Sequence, residues 1–106
     1  MESFGYQATR RAFERSKSET AARLDVNVAV ARLDAARASE AVGRDAVAQA
    51  RESRRIIRDR YEAGLTDVTS LVRSTEAVSQ AEAQRVTAQV AVLTASAALQ
   101  RALGRR

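Results

Sequence analysis

The chain has 106 residues, enough for a single domain, and it contains no proline and only four glycines. Cysteine and histidine are both absent, which excludes disulfides, thiolate metal sites and histidine-based catalysis. The net charge of +5 arises from 17 arginines and one lysine against 13 acids, and 23 alanines dominate the apolar residues. Because alanine is the best helix former and is small, this composition predicts long helices that approach one another closely.

The first predicted element is a long helix over about residues 6–63, a stretch in which no proline stops the backbone hydrogen bonds. Apolar residues recur along it with a spacing of three and four, and they form two stripes. One stripe comprises Val28, Ala31, Ala35, Ala38 and Val42, and later Val47, Ala50, Arg54, Ile57 and Tyr61; the other comprises Val26, Val30 and Leu33. Ser16 and Glu19 form a capping-box pattern, so a helix that starts again at Ser16 is the alternative to a continuous one, which we prefer.

A tight turn is predicted over residues 64–66. Gly64 suits the left-handed position that follows a helix C-terminus, and Leu65 is expected to supply the apolar contact that accompanies such a cap. Either Thr66 or Asp67 can cap the next helix by accepting from its free backbone N–H groups. Because the end of the first helix, the turn and the start of the second helix fall within five residues, the two helices must run antiparallel.

The second predicted helix covers about residues 67–103 and also carries two apolar stripes. One comprises Val86, Val90, Leu93 and Ala97, and the other comprises Ala88, Val92, Ala95, Leu99 and Ala102. Two stripes on each helix indicate a neighbour on both sides, as in a helical bundle or a curved wall of helices. The predicted fold class is therefore all-α: a single, long, antiparallel, coiled-coil-like hairpin that assembles further. The first helix is longer, so about 20 N-terminal residues lack a partner within the hairpin, by the rise of about 1.5 Å per residue.

The arginines allow two interpretations. They are interleaved with acids at helical spacing, as in Glu40–Arg44, Asp34–Arg37, Arg55–Asp59 and Arg58–Glu62, which is typical of a solvated helix surface. The cluster from Arg51 to Arg60 is the basis for the competing interpretation, a nucleic-acid-binding surface. Three acids lie within or beside this cluster, so no nucleic-acid partner is expected.

Neither catalysis nor a bound cofactor is predicted. The acids are scattered beside arginines, and no phosphate-binding loop or metal-ligand cluster is present, so we expect no enzyme activity, no metal site and no cofactor. The N-terminus lacks a charged head followed by an apolar run, and the longest uncharged stretch, residues 86–100, falls short of a membrane span. The chain as given is expected to be soluble.

Residues 58–71 resemble the R-Y-x-A-G-x-x-D-x-x-x-L signature of TolC-type outer-membrane efflux proteins. The stretch begins at Arg58, contains Tyr61, Gly64 and Asp67, and ends at Leu71. The ending Ala102-Leu103-Gly104 is similar to the A-L-G that closes the last helix of that family, and the resemblance spans roughly residues 20–104. It implies a fragment: the last periplasmic hairpin of a trimeric channel, without its signal peptide, β-strands or first repeat, as an excised segment or the product of a truncated reading frame.

In that family the hairpin tip meets the α-helical hairpin of a periplasmic adaptor protein, and the parent lies in the outer membrane and periplasm. The positions that match the tip are Tyr61, Gly64, Leu65, Thr66, Asp67 and Leu71. For Tyr61, a residue at the end of the seam and an exposed contact residue are equally good interpretations. The positions that correspond to the acidic constriction carry Ser70 and Arg73, so an acidic gate is not expected, and Arg73 could pair with Asp67 or Glu76.

The leading hypothesis is thus a tunnel-wall hairpin of an efflux or secretion channel that contacts its adaptor through the tip. The alternative is a self-associating coiled-coil scaffold unrelated to efflux, and a basic nucleic-acid-binding protein is a weaker third. In isolation the exposed stripes are expected to drive self-association.

Overall fold

A computed structural model describes the backbone of residues 2–104 and the side chains of residues 5–104. Two helices make up the fold: α1, Glu2–Glu62, and α2, Val68–Gly104. They pack against each other in a rod of 94 × 16 × 16 Å. The predicted all-α antiparallel hairpin is confirmed.

α1 is continuous through Ser16, so the alternative start there is not observed. The Thr20 hydroxyl donates to the Ser16 carbonyl at 2.9 Å, a local bond compatible with a helix interior. Every residue from 5 to 21 is exposed, and Ala22 is the first that the partner helix covers in part. The N-terminal overhang predicted from the unequal helix lengths is therefore present, about 30 Å long at 1.5 Å per residue.

The interface between the helices is a regular heptad seam. On α1 the covered positions alternate in steps of four and three, and on α2 they do the same. The inner seam of α1 comprises Ala22, Val26, Ala29, Leu33, Ala36, Glu40, Gly43, Val47, Ala50, Arg54 and Ile57; that of α2 comprises Leu71, Ser74, Val78, Ala81, Arg85, Ala88, Val92, Ala95, Leu99 and Ala102. Spacing that averages 3.5 residues keeps both seams facing each other along a left-handed coiled coil.

The register of the hairpin follows from one close approach. A Cβ placed on Gly43 would lie 3.5 Å from the Cα of Arg85, so these two residues face each other. Because both helices rise equally, the register puts Val47 level with Ala81 and Arg54 level with Ser74. A long arginine thus stands opposite a residue with little or no side chain at two places in the seam, which lets the helices stay close.

The predicted stripes need a correction. Val26 and Leu33 do face α2, but Val30, predicted on the same stripe, is exposed. The predicted positions that also face α2 are Val47, Ala50, Arg54 and Ile57, whereas the stripe from Val28 to Val42 lies outside the seam. Tyr61 is also exposed, so the seam ends at Ile57. On α2, the stripe from Ala88 to Ala102 is the inner one and the stripe from Val86 to Ala97 points outward.

Most ion pairs are local. Two of the four predicted pairs form, Glu40–Arg44 at 2.6 Å and Arg55–Asp59 at 3.1 Å. Asp34–Arg37 and Arg58–Glu62 do not form ion pairs in the described part of the chain. Such exposed pairs contribute little to stability, so the fold depends on the seam.

Candidate partner-binding tip and outer faces

The turn between the helices is a rigid cap. The Leu65 N–H donates to the Arg60 carbonyl at 2.8 Å and the Gly64 N–H to the Tyr61 carbonyl at 3.0 Å. These are the two bonds of a Schellman motif, and they satisfy carbonyls that a helix end otherwise leaves open. Gly64 has φ +74°, the left-handed conformation predicted for it, which a Cβ would strain.

The start of α2 is capped by Asp67 rather than Thr66. The Asp67 Oδ1 atom accepts from the Ser70 backbone N–H at 2.9 Å, the bond expected of an N-cap residue. This bond, with smaller contributions from the Ser70 hydroxyl and from Arg73, lowers the pKa of the Asp67 carboxyl below its ordinary value. The carboxylate is thus held charged at the positive end of the helix dipole.

Leu65 does not make the apolar contact predicted for it. In a Schellman motif the residue after the glycine packs on the residue three positions before the cap, which here is Arg60, or on its neighbour Asp59. Both of those residues are charged, and Leu65 remains 77% exposed. Tyr61 and Val68 are exposed beside it, while Thr66 and Leu71 are partly covered. The tip therefore presents exposed apolar side chains on a turn that is held by backbone hydrogen bonds.

Arg73 forms an ion pair with neither Asp67 nor Glu76, the two partners that the sequence places within its reach. Within the described residues Arg73 lines a groove between the helices near the tip, together with Ser70. The two constriction-equivalent residues are therefore brought together on one side of the hairpin.

Each helix also carries an apolar stripe on its outer face. On α1 this stripe comprises Val28, Ala31, Ala35, Ala38 and Val42, and on α2 it comprises Val86, Val90, Leu93 and Ala97, all of them exposed. Both stripes lie one or two positions from the inner seam, roughly 100–200° around the helix from it, and so face away from the partner helix. The register puts them at the same level of the rod. A row of exposed apolar residues on both backs of a hairpin is typical of a helix that has neighbours on two sides.

Two of the five arginines in the cluster near the tip are paired with acids. Arg51 bridges to Glu82 of α2 at 2.9 Å, and Arg55 pairs with both Glu52 and Asp59. These contacts engage part of the positive charge on which a nucleic-acid surface would depend.

No group of residues suited to hold a metal ion occurs among the described residues. Over the same stretch, neither helix is long and apolar enough to cross a membrane.

The fold and its surfaces define a class: a long antiparallel α-helical hairpin with apolar stripes exposed on its outer faces. Comparison with protein families identifies the family, since the model of the outer membrane efflux protein family matches residues 5–105. The chain belongs to the outer membrane efflux protein family, and the resemblance drawn from the tip signature is confirmed. Members of this family are channels and not enzymes. Searches of curated proteins and of solved structures found no significant match.

Proposed function

We propose that this hairpin forms part of the periplasmic tunnel wall of a trimeric outer-membrane efflux or secretion channel, and that its tip contacts an adaptor protein. Membership of the efflux family supports the channel role. The observation that carries the tip assignment is Leu65, which is 77% exposed at the end of a rod whose cap is internally hydrogen-bonded. A large apolar side chain exposed on a hydrogen-bonded turn is a typical anchor for a partner, because the backbone that carries it is already ordered.

The wall role depends on the outer stripes. Neighbouring helices of the same assembly would pack on the two outer stripes, Val28 to Val42 on α1 and Val86 to Ala97 on α2. This packing would bury apolar residues that are exposed to solvent in a single hairpin. In isolation these stripes would drive self-association. At the level of the constriction, Ser70 and Arg73 would present a hydroxyl and a guanidinium instead of carboxylates.

Two leucines allow the tip and the wall to be tested separately. Leu65 at the tip and Leu93 on the outer stripe of α2 are exposed by 77% and 70%, so aspartate at either position leaves the inner seam intact. The probe is the isolated α-helical hairpin of a periplasmic adaptor from the same organism. Binding to the chain is measured by calorimetry, and self-association by sedimentation.

Leu65→Asp is expected to abolish adaptor binding and to leave self-association unchanged, and Leu93→Asp is expected to do the opposite. Adaptor binding that survives Leu65→Asp would exclude the tip as the contact. Wild-type chain that self-associates through the outer stripes but never binds the adaptor would favour the coiled-coil scaffold instead.

A further inference from the structure

The groove on one side of the hairpin near the tip has a distinct lining. It measures about 560 Å³ and is bounded by both helices. Its walls are made of small or neutral side chains with one cation: Ala46, Gln49, Ala50, Ser53 and Ile57 on α1, and Ser70, Arg73, Ser74 and Ala77 on α2. No carboxylate lines it. The groove therefore combines hydrogen-bond donors and positive charge with an absence of acids.

Two hydrogen-bond donors of the groove, Ser53 and Arg73, lie at nearly the same level along the rod. The register set by Gly43 and Arg85 puts Ser53 within about two residues, or roughly 3 Å along the axis, of Arg73 on the other wall. Arg73 has no ion-pair partner among the described residues, so its fork of five N–H donors is available.

A second arginine stands beside the groove. Arg54 lies in the inner seam, next to Ser53 in the chain. The seam residues one turn before and after it, Ala50 and Ile57, both line the groove. The Arg54 Nε atom is buried without a hydrogen-bond partner. A charged group that is held in the seam and not fully paired raises the local positive potential, since screening by water is reduced there.

We propose that this groove is a binding site for an oxyanion, a carboxylate or phosphate group, with Arg73 as its principal ligand and the hydroxyl of Ser53 as a further donor. A guanidinium fork matches the two oxygens of such a group, and hydroxyls can complete its hydrogen bonds. The anion comes either from a small solute or from an acidic side chain on a helix that packs along the groove. The site does not depend on the proposed adaptor contact at the tip.

The hairpin offers a matched control at its other end. A second groove there is lined by Arg32 and Arg101 and also contains the Asp25 carboxylate, which supplies an internal anion. Arg73→Gln and Arg101→Gln remove the same charge from exposed positions on α2. Far-UV circular dichroism checks that both variants keep the fold.

The test measures binding of citrate to the whole chain at low ionic strength, by calorimetry and by the NMR shifts of backbone amides and arginine Nε–H groups. Saturable binding is expected, with shifts concentrated at residues 49–57 and 70–77. Arg73→Gln should weaken it by roughly tenfold or more, the value of one charge-assisted hydrogen bond. Arg101→Gln should leave it unchanged.

A second arm replaces citrate with a helical peptide that carries glutamates at positions four residues apart. Tighter binding of the peptide than of citrate assigns the site to an acidic partner helix, and the reverse order assigns it to a solute. Equal weakening by Arg73→Gln and Arg101→Gln, or shifts spread over every arginine, would show a general basic surface and overturn the proposal. Absence of saturable binding for both probes would also overturn it.

Discussion

Two glycines of this chain should respond in opposite ways to the same substitution. Gly43 lies within α1 in the seam, and Gly64 forms the turn. In a helix interior, alanine is more favourable than glycine by about 0.5–1 kcal/mol, because glycine loses more backbone freedom on folding. In the left-handed region, alanine is less favourable by about 1–2 kcal/mol.

The structure decides whether the seam allows the gain at Gly43. The added Cβ would lie 3.5 Å from the Arg85 Cα, which is an ordinary van der Waals contact, so no clash offsets the gain. Gly43→Ala should therefore stabilise the hairpin by about 0.5–1 kcal/mol, which corresponds to roughly 2–8 °C in Tm for a domain of this size. At Gly64 nothing lies within 4 Å of the added Cβ, so the whole loss comes from φ +74°.

The assay is urea unfolding followed by far-UV circular dichroism, at two protein concentrations that separate folding from association. Gly43→Leu is the control, because its longer side chain would have to enter space that the backbone of Arg85 occupies, and it should be destabilising. A destabilising Gly43→Ala would refute the helix separation on which the register rests, and a neutral Gly64→Ala would refute the strained cap.

Three further predictions concern single side chains. Val47 is only 2% exposed, so Val47→Ala should lower the free energy of unfolding by about 2–3 kcal/mol in urea titrations, from roughly 0.8 kcal/mol per buried carbon plus a cavity term; Val42→Ala, on the outer face, should change it little when the chain is dilute. Arg51→Gln removes the bridge to Glu82, but both side chains are about half exposed, so the loss should stay below about 1 kcal/mol and vanish at high salt. The folded-state pKa of Asp67 is lowered, so its contribution to stability is complete above its unfolded pKa and is lost as the pH falls through the folded value. Thermal unfolding between neutral pH and acid should therefore show a smaller decrease in Tm for Asp67→Asn than for the parent chain.

The turn could be predicted from the sequence because its determinants are local. A glycine followed three residues later by an aspartate specifies both a C-cap and an N-cap, whatever surrounds them. The apolar contact predicted for Leu65 does not form, because the position on which it would pack is occupied by Arg60. That residue is charged and gives the leucine nothing apolar to cover.

The assignment of the seams could not be made from composition. On α1 the inner and outer stripes lie one or two positions apart, and both contain alanine and valine at heptad spacing. Between residues 38 and 43 the inner stripe contains Glu40 and Gly43, whereas the outer stripe contains Ala38 and Val42 and looks like the better core. The packing of the two helices distinguishes them, through the burial of Leu33 and Val47 and the approach of Gly43 to Arg85. The anion-binding groove was also missed, because Ser53 and Arg73 are brought together by the register and not by any local motif.

The apolar stripes on the outer faces of the two helices have a physical explanation of their own. In a hairpin that depends only on its inner seam for stability, the most apolar residues are expected in that seam, because folding alone buries them there. Here the seam includes Arg54, Arg85 and Glu40, while Val42 and Leu93 remain exposed on the backs of the two helices. This distribution supports the proposed wall role, in which neighbouring helices cover the apolar outer faces of the hairpin. The full stability of the hairpin should then depend on the concentration of neighbouring hairpins, as expected for the proposed segment of a channel wall.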